Sequence, residues 1–192
     1  MRVPPFLVPV LAAWMVLQSG CASPEARWGG TDAVSDPAGP AAKRAQLLAA
    51  NIRSMGSSVD PQEASAVALR AVQYSAQLAS FYQAVRPAWL QNHLVNTGQR
   101  ERGLCFQWMI DLHAAVAPLS PATLEFHFAV AREGRPREHN ALVVSARGAP
   151  IETGLVLDPW RHSGRLEWAP FLKDKYPWTR PTNIVSEVAG PR

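Results

Sequence analysis

Residues 118–130, PLSPATLEFHFAV, contain a change in the spacing of apolar side chains along the chain. After Pro121, apolar residues occupy every second position from Leu124 to Val130, which is typical of a strand with one buried face. Before Pro118, apolar residues recur at helical spacing instead. The change therefore predicts helices on its N-terminal side and strands on its C-terminal side, which together form an α+β fold with a small antiparallel sheet.

The upstream half carries start and stop signals for helices. Asp60 can cap a long helix, Pro61 suits its first turn, and Glu63 can complete a capping box. Gly56 ends the helical pattern before Asp60, and proline at position 87 ends the pattern after it. We predict helices at residues 41–55, 60–86, 89–95 and 105–116.

The downstream half reads as short strands joined by turns. Residues 147–150, RGAP, separate two apolar runs and form a plausible turn. We predict strands at residues 124–130, 139–146, 153–158 and 165–169. With these elements, the folded domain is expected to span residues 41–178, followed by a tail at residues 179–192.

Three residues carry the groups that nucleophilic catalysis requires. Cys105 lies in GLCFQW, at the point where a loop turns into a helix, and a helix N-terminus stabilises a thiolate. His139 begins one predicted strand and Asp158 ends the next. The order suits a nucleophile, its general base and the residue that orients the base. Each also has a purely structural interpretation: a buried thiol, a capped histidine and a turn aspartate.

These motifs resemble the transglutaminase-like superfamily, which includes bacterial periplasmic cysteine peptidases. The shared features are Gly-x-Cys opening a helix, a histidine starting a strand, and an apolar strand ending in Leu-Asp-Pro. The resemblance implies that Cys105 accepts the acyl group, His139 acts as general base and acid, and Asp158 orients it. The amide of Cys105 is one expected oxyanion donor. Gln99 has the spacing of the oxyanion glutamine in papain-like proteases, although a solvated loop glutamine is the alternative.

The N-terminus predicts export. Arg2 precedes an apolar run that is too short to span a bilayer and contains three prolines, so residues 1–20 read as a signal peptide. The run ends in Gly20-Cys21, which resembles a bacterial lipobox. This resemblance implies cleavage before Cys21, acylation of Cys21 by fatty acids such as palmitate, and an outer-membrane anchor facing the periplasm. An ordinary secretory signal is the alternative.

The composition of the chain predicts a disordered segment and argues against several classes of function. Residues 21–40 are rich in Ala, Ser, Pro, Gly and Asp, so we expect a disordered tether. The net charge of +4 is spread over the chain, with no basic stripe, phosphate-binding glycine loop or His-x-x-x-His spacing. We therefore expect no nucleic-acid partner, no metal and no cofactor.

Two functions remain in agreement with the sequence. The first is a membrane-anchored envelope cysteine hydrolase or acyltransferase that acts on amide bonds of a protein or cell-wall peptide through Cys105, His139 and Asp158. The second is a non-catalytic binding or structural lipoprotein on the same fold. A redox role for Cys105 is disfavoured, because a chain acylated at Cys21 keeps no resolving cysteine.

Overall fold

The alternation that begins at Leu124 forms a strand, and the helical spacing upstream forms helices. The structure is a computed structural model that describes residues 39–182. The signal peptide at residues 1–20, the lipidation site Cys21, most of the tether and the tail from residue 183 lie outside the described residues. Within the described part, no helix combines the length and apolar character needed to cross a bilayer.

The described residues contain four α-helices followed by five strands, which confirms the α+β class. The helices are α1 (Pro40–Arg53), α2 (Pro61–Phe81), α3 (Ala88–Asn96) and α4 (Cys105–Val116). The strands are β1 (Leu124–Ala131), β2 (His139–Ala146), β3 (Leu155–Asp158), β4 (Glu167–Pro170) and β5 (Trp178–Thr179).

The strands form one antiparallel sheet in the order β4-β3-β2-β1-β5. Strand β5 was not predicted, because two residues are too few to show a period. It pairs with the end of β1, with Trp178 opposite Ala131, and it reaches one residue into the predicted tail. The predicted third strand begins later than expected, because residues Ile151–Thr153 form a 3-10 turn.

Both faces of the sheet are covered, which explains why β2 and β3 are apolar runs. One face packs on α1, α2 and α4, and its core includes Leu142 and Leu157. The opposite face holds a second cluster, in which Val143 and Val156 pack with Phe171. Strands buried on two sides cannot alternate apolar with polar residues, so they read as continuous hydrophobic segments.

The start of α2 differs from the predicted capping box in one respect. Asp60 caps the helix as expected, and its Oδ1 accepts the backbone N–H groups of Gln62 and Glu63 at 2.9 Å. The Glu63 carboxylate instead accepts the N–H of Thr123 at 2.8 Å, just before β1. The Asp60 N–H, which Glu63 was expected to bind, donates to Thr123 Oγ1 at 3.0 Å. Asp60 and Glu63 therefore do not form a capping box with each other; both bind Thr123 and so connect α2 to the sheet.

Candidate active site

Cys105 is the first residue of α4, and its position is set by hydrogen bonds around the preceding loop. The Gln107 Oε1 accepts the N–H groups of Gly103 at 2.8 Å and Leu104 at 3.0 Å. The indole of Trp108 donates to the Gly103 carbonyl at 3.0 Å. These bonds hold the chain just before the helix, so Cys105 lies in the first turn, where the residue is only 9% exposed.

Gly103 is required at this turn by both its backbone and its surroundings. Its φ of +128° lies in a region that L side chains rarely adopt, and a Cβ there would lie 2.6 Å from Cγ of Gln91. Gln91 is buried and donates to the carbonyls of Tyr82 at 3.2 Å and Arg102 at 2.9 Å. Its Oε1 accepts the Val85 N–H, so the side chain is fixed on three sides.

The sheet brings His139 and Asp158 into contact. Leu142 lies opposite Leu157 in the antiparallel pair, which places the start of β2 beside the end of β3. His139 Nε2 lies 2.7 Å from Asp158 Oδ2, and the two side chains are 3% and 1% exposed. A carboxylate at Nε2 fixes the tautomer of the ring and leaves Nδ1 as its second functional atom.

Asp158 belongs to a longer buried chain of charges. Arg161 donates from its backbone N–H to Oδ1 at 3.1 Å and from Nε to Oδ2 at 3.0 Å. The two terminal guanidinium nitrogens bind Asp174 at 3.1 and 2.7 Å. The Trp178 indole also donates to Asp174, at 3.1 Å. Arg161 thus links the end of β3 to the segment just before β5.

Three aromatic rings enclose the imidazole of His139. The ring centroids of Trp160, Tyr176 and Trp178 lie 4.6, 4.7 and 5.3 Å from that of His139. Tyr176 and Trp178 also line a cleft of about 310 Å³, together with Leu172 and neighbouring residues. The aromatic residues near the C-terminus therefore form a wall between the histidine and a surface cleft.

The environment of His139 stabilises its protonated form. Burial opposes protonation, but the hydrogen bond to Asp158, the nearby sulfur of Cys105 and the charge of Asp158 outweigh it and raise the pKa of His139 to about 9. Nδ1 has no hydrogen-bond partner of ordinary geometry among the described residues. The Cys105 thiol therefore raises the pKa of the ring without forming a hydrogen bond to Nδ1. Hydrogen bonds between catalytic groups are often long before substrate binds.

The sulfur of Cys105 has two further polar neighbours at the start of β2. The Glu138 carbonyl lies 4.0 Å from Sγ. The side-chain nitrogen of Asn140 lies 3.9 Å from Sγ and donates to Glu138 Oε1 at 3.1 Å. Residues on both sides of His139 thus contact the thiol.

The structure brings together Cys105, His139 and Asp158 but not Gln99. Gln99 is exposed and donates to Thr97 at 2.9 Å, so it matches the solvated alternative. Sequence reasoning missed Arg161, although its spacing of three residues from Asp158 was a usable signal. It also missed Asp174, for which no local motif exists. Within residues 39–182, no cluster of His, Cys, Asp and Glu has the makeup of a metal site.

Comparison of the chain with protein-family models, curated proteins and solved structures finds no match.

Proposed function

We propose that this protein is a cysteine-dependent acyl-transfer enzyme that cleaves or exchanges an amide bond. Cys105 is the nucleophile, His139 the general base and acid, and Asp158 the orienting carboxylate. The observation that carries the proposal is the imidazole of His139, bound through Nε2 to Asp158 with Nδ1 left for the thiol of a cysteine at a helix start. These three groups supply the nucleophile, the base and the orienting carboxylate that acyl transfer needs.

The chemistry proceeds through an acyl-enzyme. The Cys105 thiolate attacks the carbonyl carbon of the amide and forms a carbon–sulfur bond, while the carbonyl electrons move to oxygen. When the oxyanion collapses, the carbon–nitrogen bond breaks, and protonated His139 gives its Nδ1 proton to the leaving amine. Water or a second amine then attacks the thioester. His139 removes a proton from this nucleophile, and the thiolate leaves.

We propose a transglutaminase-like arrangement for the domain. The support lies in the order of elements: a cysteine that opens α4, a histidine that opens β2, and an aspartate that closes the adjacent antiparallel strand β3. The substrate we propose is a protein or a cell-wall peptide of the bacterial envelope. This choice rests on the signal-like N-terminus and on Cys21 as the site of a lipid anchor in the outer membrane.

Two reagents test the proposal. Iodoacetamide should alkylate Cys105 of the wild-type protein faster than it alkylates the His139→Ala variant, because the thiolate is the reactive form and an adjacent imidazolium stabilises it. Asp158→Asn should lower the rate less than His139→Ala. An activated ester such as p-nitrophenyl acetate should leave an acetyl group on Cys105, detected by mass spectrometry, and Cys105→Ser should abolish this thioester.

A second histidine supplies the matched control. His127 lies on β1, where its Nε2 contacts Ser145 Oγ at 2.9 Å. His127→Ala should leave alkylation and acylation of Cys105 unchanged. If His139→Ala also leaves both rates unchanged, the thiol reacts without a base. The protein is then better described as a non-catalytic envelope lipoprotein.

A further inference from the structure

We propose that the side-chain amide of Asn140 completes the oxyanion hole of this site, beside the backbone N–H of Cys105 that the sequence already predicts as one donor. The inference rests on the proposed acyl-transfer function and adds to it a catalytic residue outside the triad. Acyl transfer needs donors aimed at the oxygen that becomes negatively charged, and removal of one such donor typically lowers the rate by about 10²–10³-fold.

The position of Asn140 relative to the sulfur is the first argument. Its Nδ2 lies 3.9 Å from Sγ of Cys105, on the residue that follows His139 in β2. In the tetrahedral intermediate the oxyanion is bonded to the carbon that the sulfur has attacked. A donor at this distance from Sγ can therefore reach that oxygen more closely than it reaches the sulfur.

The backbone supplies the second donor. Cys105 is the first residue of α4, so its N–H has no acceptor one turn earlier within the helix. The nearby N–H groups of Gly103 and Leu104 are both taken up by Gln107 Oε1. In residues 39–182, no acceptor is found for the Cys105 N–H. The helix dipole adds partial positive charge at the same place.

Glu138 fixes the orientation of the Asn140 amide. Nδ2 donates to Glu138 Oε1 at 3.1 Å, and only the NH₂ end of the amide can donate to a carboxylate. Glu138 Oε2 in turn accepts the Gly134 N–H at 2.7 Å. One hydrogen of the amide is held by Glu138, and the other is available to the reacting centre. Such orientation before the reaction is what makes an oxyanion donor effective.

Two reactions of Cys105 separate an oxyanion donor from a residue that only positions the thiol. Acetylation by p-nitrophenyl acetate passes through a tetrahedral oxyanion, whereas alkylation by iodoacetamide is a displacement at carbon that creates none. We expect Asn140→Ala to lower the acetylation rate by about 10²-fold. Its alkylation rate should change far less, because the amide makes only a long contact of 3.9 Å with the sulfur.

Further variants test fold and charge. Asn140→Asp keeps the shape of the side chain but replaces the donor by an acceptor, so acetylation should fall at least as far as in Asn140→Ala. Glu138→Ala removes the group that orients the amide and should lower acetylation less than Asn140→Ala. Urea unfolding of each variant verifies that the domain is folded, and Asn140→Ser replaces Asn140→Ala if the latter unfolds.

Parallel loss of acetylation and alkylation in Asn140→Ala would overturn the proposal, because it would assign Asn140 to positioning the thiol. Unchanged acetylation would overturn it as well. In both cases the wild-type protein still forms the acetyl-enzyme, so the proposed function stands. A wild-type protein that is alkylated but never acetylated would instead remove the proposed function and the oxyanion hole together.

Discussion

Arg161 binds the same oxygen of Asp158 that His139 binds. The Arg161 Nε lies 3.0 Å from Oδ2 and the imidazole Nε2 lies 2.7 Å from it. Arg161 is itself held by two hydrogen bonds to Asp174, whose side chain is 2% exposed. The Asp158 carboxylate is therefore held by a guanidinium whose own position is fixed by Asp174. Arg161 acts on His139 through Asp158, which makes it a positioning residue.

Replacement of Arg161 should destabilise the domain strongly. Arg161→Met leaves two buried carboxylates without their shared cation, and loss of one partner of a buried ion pair costs about 3–5 kcal/mol. Arg161→Lys retains the charge but not the planar fork, so we expect a smaller loss of unfolding free energy and a lower acylation rate. Urea unfolding and acylation kinetics measure the two effects.

Arg180 provides the control for Arg161. It pairs with Glu152 at 3.7 Å, with side chains that are 59% and 44% exposed. Surface pairs of this kind contribute about 0–1 kcal/mol, so Arg180→Met should change the urea midpoint little. Equal losses in Arg161→Met and Arg180→Met would contradict the buried network as a source of stability.

The raised pKa of His139 predicts how stability depends on pH. The folded protein keeps this imidazole protonated up to about pH 9, whereas the unfolded chain loses the proton near 6.5. The folded state therefore binds more protons between these values, and its unfolding free energy should fall as pH rises through this window. The stabilising contribution is complete below 6.5 and is lost above about 9. Urea titrations from pH 6 to 10 measure this slope.

The other perturbed histidines titrate outside this window. Burial lowers the pKa of His113, His127 and His162, so their effect on stability lies below pH 6.5. His139→Asn should flatten the loss of stability between pH 6.5 and 9, whereas His113→Asn should not. With an amide substrate, the acylation rate should also fall as pH rises through about 9, because His139 then lacks the proton for the leaving amine. A wild-type slope equal to that of His139→Asn would contradict the raised pKa.

Local signals explain what the sequence could predict. Helix α4 begins at Cys105 because Gly103 permits the turn before it, and both features are visible within a few residues. The strand at Leu124 follows from alternation, and Asp60 caps α2 through its own neighbours. The class of fold and the three candidate residues all come from such short patterns.

Contacts between distant segments account for the rest. The partner of Glu63 is Thr123, 60 residues away, and nothing in the local capping pattern reveals it. Asp174 binds Arg161 across 13 residues of chain that include strand β4. Asn140 reaches the thiol because α4 packs on β2, which brings the start of the strand close to the start of the helix. The number of residues between two positions in the chain does not reveal how close they lie in the folded protein.

Gly103→Ala should disturb the turn that leads to Cys105. The new Cβ would meet the buried Gln91 side chain at 2.6 Å, on a backbone with φ of +128°. Strained backbone conformations cost about 1–3 kcal/mol each, and the clash adds to this cost. Gly98→Ala is the control: its φ is +73°, with no atom within 4 Å of the added Cβ. Gly103→Ala should lose more unfolding free energy than Gly98→Ala and should alter the alkylation rate of Cys105. Equal losses in the two variants would contradict the requirement for glycine at position 103.

Acylation of Cys21 should leave the mature protein with one free thiol. Cys105 is unpaired in the fold, and the sulfur of an acylated Cys21 is blocked by its lipid. A single acyl chain binds membranes only marginally, and stable anchoring takes at least two, so a multiply acylated Cys21 should retain the protein in the membrane fraction. Thiol titration of the unfolded membrane-extracted protein should therefore find one thiol, whereas protein made without export should show two.

Cys21→Ser should abolish membrane retention, and mass spectrometry should locate the acyl groups on an N-terminal Cys21. An unmodified N-terminus at another residue would refute the anchor while leaving the proposed chemistry of Cys105 untouched, since the described domain holds that site without any residue before position 39.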